Sequence, residues 1–153
     1  MKTLRVEALD PRTGQRMDCG LEIGGQTTPP YSLRLQLPGG GCFIATHRDY
    51  FECLRAIRRE LDEQHILLLC NGARRDAWAS GLLRSSGGAT KVSIYPLEPS
   101  LVDAVTSSVV GIFEPAEPST VSTVIQQTEY ADSWHLRHLG CGLSEGLKTG
   151  RVE

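Results

Sequence analysis

The first 45 residues admit one kind of regular structure. Leu4, Val6 and Ala8 alternate with polar neighbours; Met17, Cys19, Leu21 and Ile23 do the same, and so do Tyr31, Leu33, Leu35 and Leu37. A repeat of two places every second side chain on one face, which is the mark of a half-buried strand. Turn formers separate the runs: Asp10-Pro11-Arg12-Thr13-Gly14, then Gly24-Gly25 with Thr27-Thr28-Pro29-Pro30, then Pro38-Gly39-Gly40-Gly41 before a short strand at 42–45. These elements predict an antiparallel meander with one apolar and one wet face. Gly39-Gly40-Gly41 lies between two strands, so it reads as a hairpin turn; a phosphate loop would precede a helix.

From residue 46 the repeat changes. Tyr50, Leu54, Ile57 and Leu61 fall at helical spacing, with Phe51 and Cys53 widening the stripe, and Thr46 with Asp49 forms a capping pair. The helix is expected over 46–64 as a crossover covering one face of the sheet. Its polar residues Glu52, Arg55, Arg59, Asp62 and Glu63, with Arg58/Asp62 and Arg59/Glu63 as i,i+4 pairs, read as a solvated face. A buried strand follows at 66–70, then a short helix at 76–83, a strand at 91–95 and a loop at 96–100. The chain is β-rich towards 113, stiff at 114–118, and helical over about 120–139 from a Ser119 or Thr120 cap to Gly140 and Gly142. The class is α+β, the meander extending into a mixed sheet. One domain is expected over 1–142, with a flexible tail at 143–153.

A length of 153 residues is enough for one domain that removes roughly 70% of its unfolded surface from water. With 40% hydrophobic residues and a net charge of −2, neither default disorder nor a general basic footprint for nucleic acid is expected. The N-terminal residues hold no apolar leader, and no run approaches the ~18 apolar residues of a membrane span. Five widely spread cysteines without a CxxC pair point to reduced thiols, hence to a cytoplasmic protein.

The candidate working surface is where the apolar run 66–70 stops at Asn71-Gly72 and gives way to Arg74-Arg75-Asp76. On a functional reading Gly72 lets backbone approach a ligand, and the arginines fork onto a carboxylate or phosphate, or grip a protein partner. On a structural reading this is a strand-to-helix turn with Gly72 at positive φ and Asp76 as the helix N-cap. Partner-binding residues are therefore expected among Asn71, Arg74, Arg75, Asp76 and Trp78. No P-loop lysine or second glycine sits at phosphate-loop spacing. His135, His138 and Cys141 are possible zinc ligands, but no fourth lies near and the last is past the helix end, so no metal is assigned. Cys70 with His65 or His47 lacks an orienting group and an oxyanion hole, so no catalytic residue is assigned either, and no cofactor.

Residues 67–81, through Asn71-Gly72-Ala73-Arg74-Arg75-Asp76-Ala77-Trp78, together with 87–95, resemble a pattern in small standalone bacterial proteins. Residues 111–127, ending near Trp134, are similar to the C-terminal piece of the same group, the immunity proteins of polymorphic or type VI toxins. The similarity spans about half the chain. It implies a cytosolic inhibitor that binds and neutralises a cognate toxin domain without catalysis. The alternative is a small enzyme or ligand-binding regulatory domain that recognises an anionic small molecule at 71–76.

Overall fold

The computed structural model of the chain describes residues 2–95 and 108–139. The fold is α+β. β1 (Lys2–Asp10) and β2 (Gln15–Ile23) pair along their full length, from Lys2 opposite Ile23 to Asp10 opposite Gln15. The turn between them uses the chemistry of its residues. The Asp10 carboxylate accepts the Arg12 N–H at 2.9 Å, and Gly14 takes φ +78°, which a side chain would resist. β3 (Tyr31–Gln36) and β4 (Cys42–His47) complete the meander. One face carries Val6, Ala8, Cys19, Leu21, Leu33, Leu35, Phe43 and Ala45, all buried. The other is a lattice of exposed ion pairs, Arg5 with Asp18 at 2.6 Å and Arg16 with Glu7 at 3.2 Å.

α1 (Tyr50–Glu63) lies across the apolar face and buries Phe51, Leu54, Ile57 and Leu61 there. At ~1.5–3 kcal/mol for each fully buried large apolar side chain, this stripe is the main force joining helix to sheet. The helix starts later than the expected residue 46. Thr46 lies within β4, opposite Ser32, and the cap is Asp49, whose carboxylate accepts the Glu52 N–H at 2.8 Å. At the other end His65 takes φ +59°, while Ile66 N donates to Leu61 O at 3.0 Å and His65 N to Asp62 O at 3.1 Å. That is a Schellman stop with histidine where glycine is usual; His65 therefore ends the helix and does not begin the next strand.

β5 (Leu67–Leu68) pairs antiparallel with β1, giving the order β4-β3-β2-β1-β5. The expected crossover is real: four antiparallel steps make β4 and β5 run the same way, and α1 carries the chain between them. Among the described residues the expected mixed sheet is not formed: every strand pair is antiparallel, and β4 and β5 sit at opposite edges. Beyond β5 the chain leaves this sheet. β6 (Ala77–Trp78), β7 (Lys91–Ile94) and β8 (Ser108–Gly111) make a second antiparallel sheet in the order β6-β7-β8. The helix expected over 76–83 is replaced by β6 and the short α2 (Gly81–Ser85), capped by Ser80, whose Oγ accepts the Leu83 N–H at 3.2 Å.

α3 (Val124–Leu139) begins four residues after the expected start. Pro118–Thr120 forms a 3₁₀ turn instead, and the reciprocal cap is one step on. Thr123 Oγ1 accepts the Gln126 N–H at 3.2 Å, and Gln126 Oε1 accepts the Thr123 N–H at 3.0 Å, a capping box. Asp62 of α1 adds an acceptor for the Val124 N–H at 2.9 Å. The helix end expected at Gly140 and Gly142, and the tail at 143–153, lie outside the described residues.

The second layer also explains why the polar side of α1 is not simply solvated. Arg58 is 2% exposed. Its guanidinium donates to Gln127 Oε1 at 2.8 Å, Ser122 O at 2.9 Å and Gly72 O at 3.3 Å. Asp62, its expected i,i+4 partner, instead holds α3. Burial draws the Arg58 pKa down to about 10, so the group is still cationic at neutral pH.

Candidate functional site

The stretch expected to deliver a polar loop to the surface first dives inward. Ile66, Leu68, Leu69 and Cys70 are buried as their composition demands, but only Leu67–Leu68 form a ladder. Cys70 then bridges to Pro115, and Asn71–Ala73 makes a buried 3₁₀ turn. Asn71 donates its backbone N–H to Glu114 O at 2.8 Å and its side-chain Nδ2 to Gly111 O at 3.1 Å. Gly72 is not at positive φ and does not open the backbone to a ligand. A Cβ there would sit 2.5 Å from Leu54 Cδ2 and 2.6 Å from Ile112 Cγ1, so glycine is required by packing.

The chain surfaces at Arg74–Asp76, and it does so under restraint. Arg75 N donates to Thr120 O and Tyr95 N to Asp76 O, both at 2.8 Å; Gln127 Nε2 donates to Arg74 O at 2.9 Å. Arg74 forks onto Asp76, with Nε to Oδ1 at 2.8 Å and Nη2 to Oδ2 at 3.0 Å. That bond lifts the arginine pKa further above its ordinary value. It also occupies the carboxylate that was expected to cap a helix. The Arg75 side chain is exposed, with its guanidinium carbon 5.5 Å from the centre of the Tyr130 ring. Tyr130 is fixed in turn by donating its hydroxyl to Tyr95 O at 2.7 Å.

Arg75, Asp76, Ser119, Thr120 and Tyr130 line a shallow cleft of about 190 Å³. Arg74 neutralises Asp76, and among the described residues Arg75 has no ion-pair partner. A guanidinium backed by an aromatic face suits a carboxylate or phosphate; the Thr120 hydroxyl adds no donor, since it already donates to Glu117 O at 2.7 Å. Ser119, Thr120 and Tyr130 escaped the sequence reading because they reach Arg75 through a pairing of distant segments, Arg74 opposite Val121. No local pattern announces that pairing.

Trp78 belongs to a different cluster. Its ring meets Phe51 edge-on at 5.3 Å between centroids, with the Arg55 guanidinium at 4.9 Å and that of Arg84 at 5.9 Å. Arg84 pairs with Asp49 at 3.1 Å and Glu52 at 2.9 Å. Arg55 pairs with Glu52 and donates to Thr128, tying α1 to α3. Burial alone would raise the Glu52 carboxyl, but Arg55 and Arg84 outweigh it and hold the pKa below the usual range. This half-buried network carries Trp78 as an internal wall with one edge in water.

Cys70 is wholly enclosed, and burial pushes its thiol up to about 11, far from the thiolate a nucleophile needs. His135 is buried beside Tyr95 and Trp134, at 5.5 and 5.7 Å between ring centres, and burial lowers its pKa. The His138 side chain and Cys141 lie outside the described residues. Among the described residues no three histidines, cysteines or carboxylates gather as a metal set, and no helix is long and apolar enough to cross a membrane. Comparison with protein-family models and with curated proteins gives no match.

Proposed function

We propose that the chain is an immunity-type binding protein, which grips a cognate toxin domain through the surface around Arg74, Arg75 and Asp76 and blocks it without covalent chemistry. The supporting observation is the state of Arg75. Its backbone is locked between Thr120 and the Arg74–Asp76 fork, and its exposed guanidinium rests against Tyr130. Ordering a free side chain at an interface costs ~0.5–1.5 kcal/mol, and an arginine already positioned avoids most of that. Arginine and tyrosine are also the residue types that most often anchor interfaces. In this reading Asn71 supports the loop from inside and Trp78 adds its wet edge at the rim. The site of action is the cytoplasm, where the toxin would otherwise act.

The second reading, an anionic small molecule in the cleft, is favoured by the Ser119 hydroxyl that lines it with Arg75. Size favours the first: small-molecule sites usually enclose ~300–1,000 Å³, whereas this cleft of about 190 Å³ suits one carboxylate side chain of a protein. Co-expression with the product of the neighbouring reading frame separates the two. Rescued growth together with a stoichiometric complex supports the inhibitor. If both are absent, and a melting-temperature shift appears with a phosphorylated metabolite, the small-ligand reading replaces it.

A further inference from the structure

The two edges of the five-stranded sheet differ. Just past β5, Ala116 N donates to Leu69 O at 3.1 Å and Asn71 N to Glu114 O at 2.8 Å, so the 114–116 segment pairs with the chain as it leaves that edge. β4 has no such pairing segment among the described residues. All six of its residues pair with β3 in unbroken register, from Gln36 opposite Cys42 to Tyr31 opposite His47, and among the described residues its outer edge has no backbone partner. Natural edge strands are normally blunted by lysine, proline, a bulge or shortness. The sequence Cys42-Phe43-Ile44-Ala45-Thr46-His47 has none of these, and Ile44 is 66% exposed.

We propose that β4 is a self-association edge: a second copy of the chain lays its own β4 alongside, antiparallel, with the two-fold axis passing beside Ile44. One sheet then runs through both copies, with α1 of each on the same side. The sequence of the strand is its own complement in this register. Ile44 faces Ile44 of the second copy, Cys42 faces Thr46, and on the helix side large Phe43 faces small Ala45. Cross-strand apolar pairs of this kind are the unit of sheet stability.

Charge selects the same occupant. The strand's outer row carries no charge, so an acidic or basic peptide finds no counter-charge on it. The nearest outer-face cation, Arg34, sits opposite Ile44 on β3. Its counterpart in the second copy would lie three strand spacings away, about 14 Å, beyond the ~8 Å screening length at physiological ionic strength. Arg48, just past the strand, falls opposite Gly40 of the second copy. No like charges are brought together.

The test uses the full chain, with sedimentation and light scattering across a concentration series up to ~100 μM, where even a modest contact is populated. The chain is expected to dimerise. Ile44→Lys sets two ammonium groups against each other on the axis and is expected to weaken the dimer roughly fivefold, with an unchanged far-UV spectrum because the side chain is exposed. Thr46→Cys, oxidised with diamide, is expected to give a disulfide-linked dimer on a non-reducing gel, and Cys42→Ser in that background to abolish it. A monomer at every concentration, a dimer that Ile44→Lys leaves intact, or a cross-link that survives Cys42→Ser overturns the proposal. None of these outcomes depends on the toxin partner.

Discussion

Gly72→Ala is the sharpest probe of how the candidate surface is supported. The added methyl would lie 2.5 Å from Leu54 Cδ2 and 2.6 Å from Ile112 Cγ1, where carbon pairs prefer about 3.5–4.0 Å. Both neighbours are fully buried, so neither can swing into water. Nor can the backbone retreat: Gly72 N donates to Ile112 O at 2.8 Å, and Gly72 O accepts from Gln127 at 2.9 Å and Arg58 at 3.3 Å. Overpacking of a closed core costs ~1–3 kcal/mol. Alanine recovers about 0.4–1 kcal/mol by restricting the unfolded chain, since φ here is not positive. The net loss should be about 1–2 kcal/mol. For a chain of this size that lowers the melting temperature by roughly 2–8 °C, readable by calorimetry or circular dichroism. An equal or higher melting temperature would refute the claim that packing fixes glycine here.

Arg58→Met keeps the length of the stem but removes the donors to Gln127 Oε1 and Ser122 O; two orphaned buried acceptors at ~1–3 kcal/mol each, less the relief of uncharging the site, give a loss of about 2–4 kcal/mol in denaturant unfolding. A milder loss in Arg58→Lys is expected, as one donor survives. Glu52 makes stability depend on acid. Its folded pKa lies below the unfolded value of ~4.3, so its contribution is complete above that value and is lost as pH falls through the folded pKa. Glu52→Gln should therefore flatten the stability curve on the acid side of pH 4–5, and an unchanged slope would dismiss the network's role.

The meander was readable because a period of two survives in any partly wet sheet, and Tyr50, Leu54, Ile57 and Leu61 marked α1 equally well. What escaped depends on distant pairing. Arg58 and Asp62 satisfy the local rule for a surface ion pair, yet α3 and the Asn71–Ala73 turn pack over that side of α1 and divert both. The capping box at Thr123 and Gln126 was present in the sequence, but Ser119 and Thr120 offered an earlier cap, which Pro118 turned into 3₁₀ structure. The polar look of Asn71 concealed a buried residue whose partners are backbone groups near Gly111 and Glu114. Of the candidate surface, Arg74, Arg75 and Asp76 were placed by composition, and Ser119, Thr120 and Tyr130 only by the fold.

The most direct test is the affinity of the purified chain for the toxin domain proposed as its partner, by titration calorimetry, with and without Arg75→Glu. Reversing this exposed charge gives up only the contact with the Tyr130 ring, so the melting temperature should fall by no more than about 4 °C, while the complex should weaken by ~2 kcal/mol or more, at least about thirtyfold, as expected for an interface anchor. Full affinity in the Arg75→Glu protein, with its fold intact, would contradict the assignment of this surface.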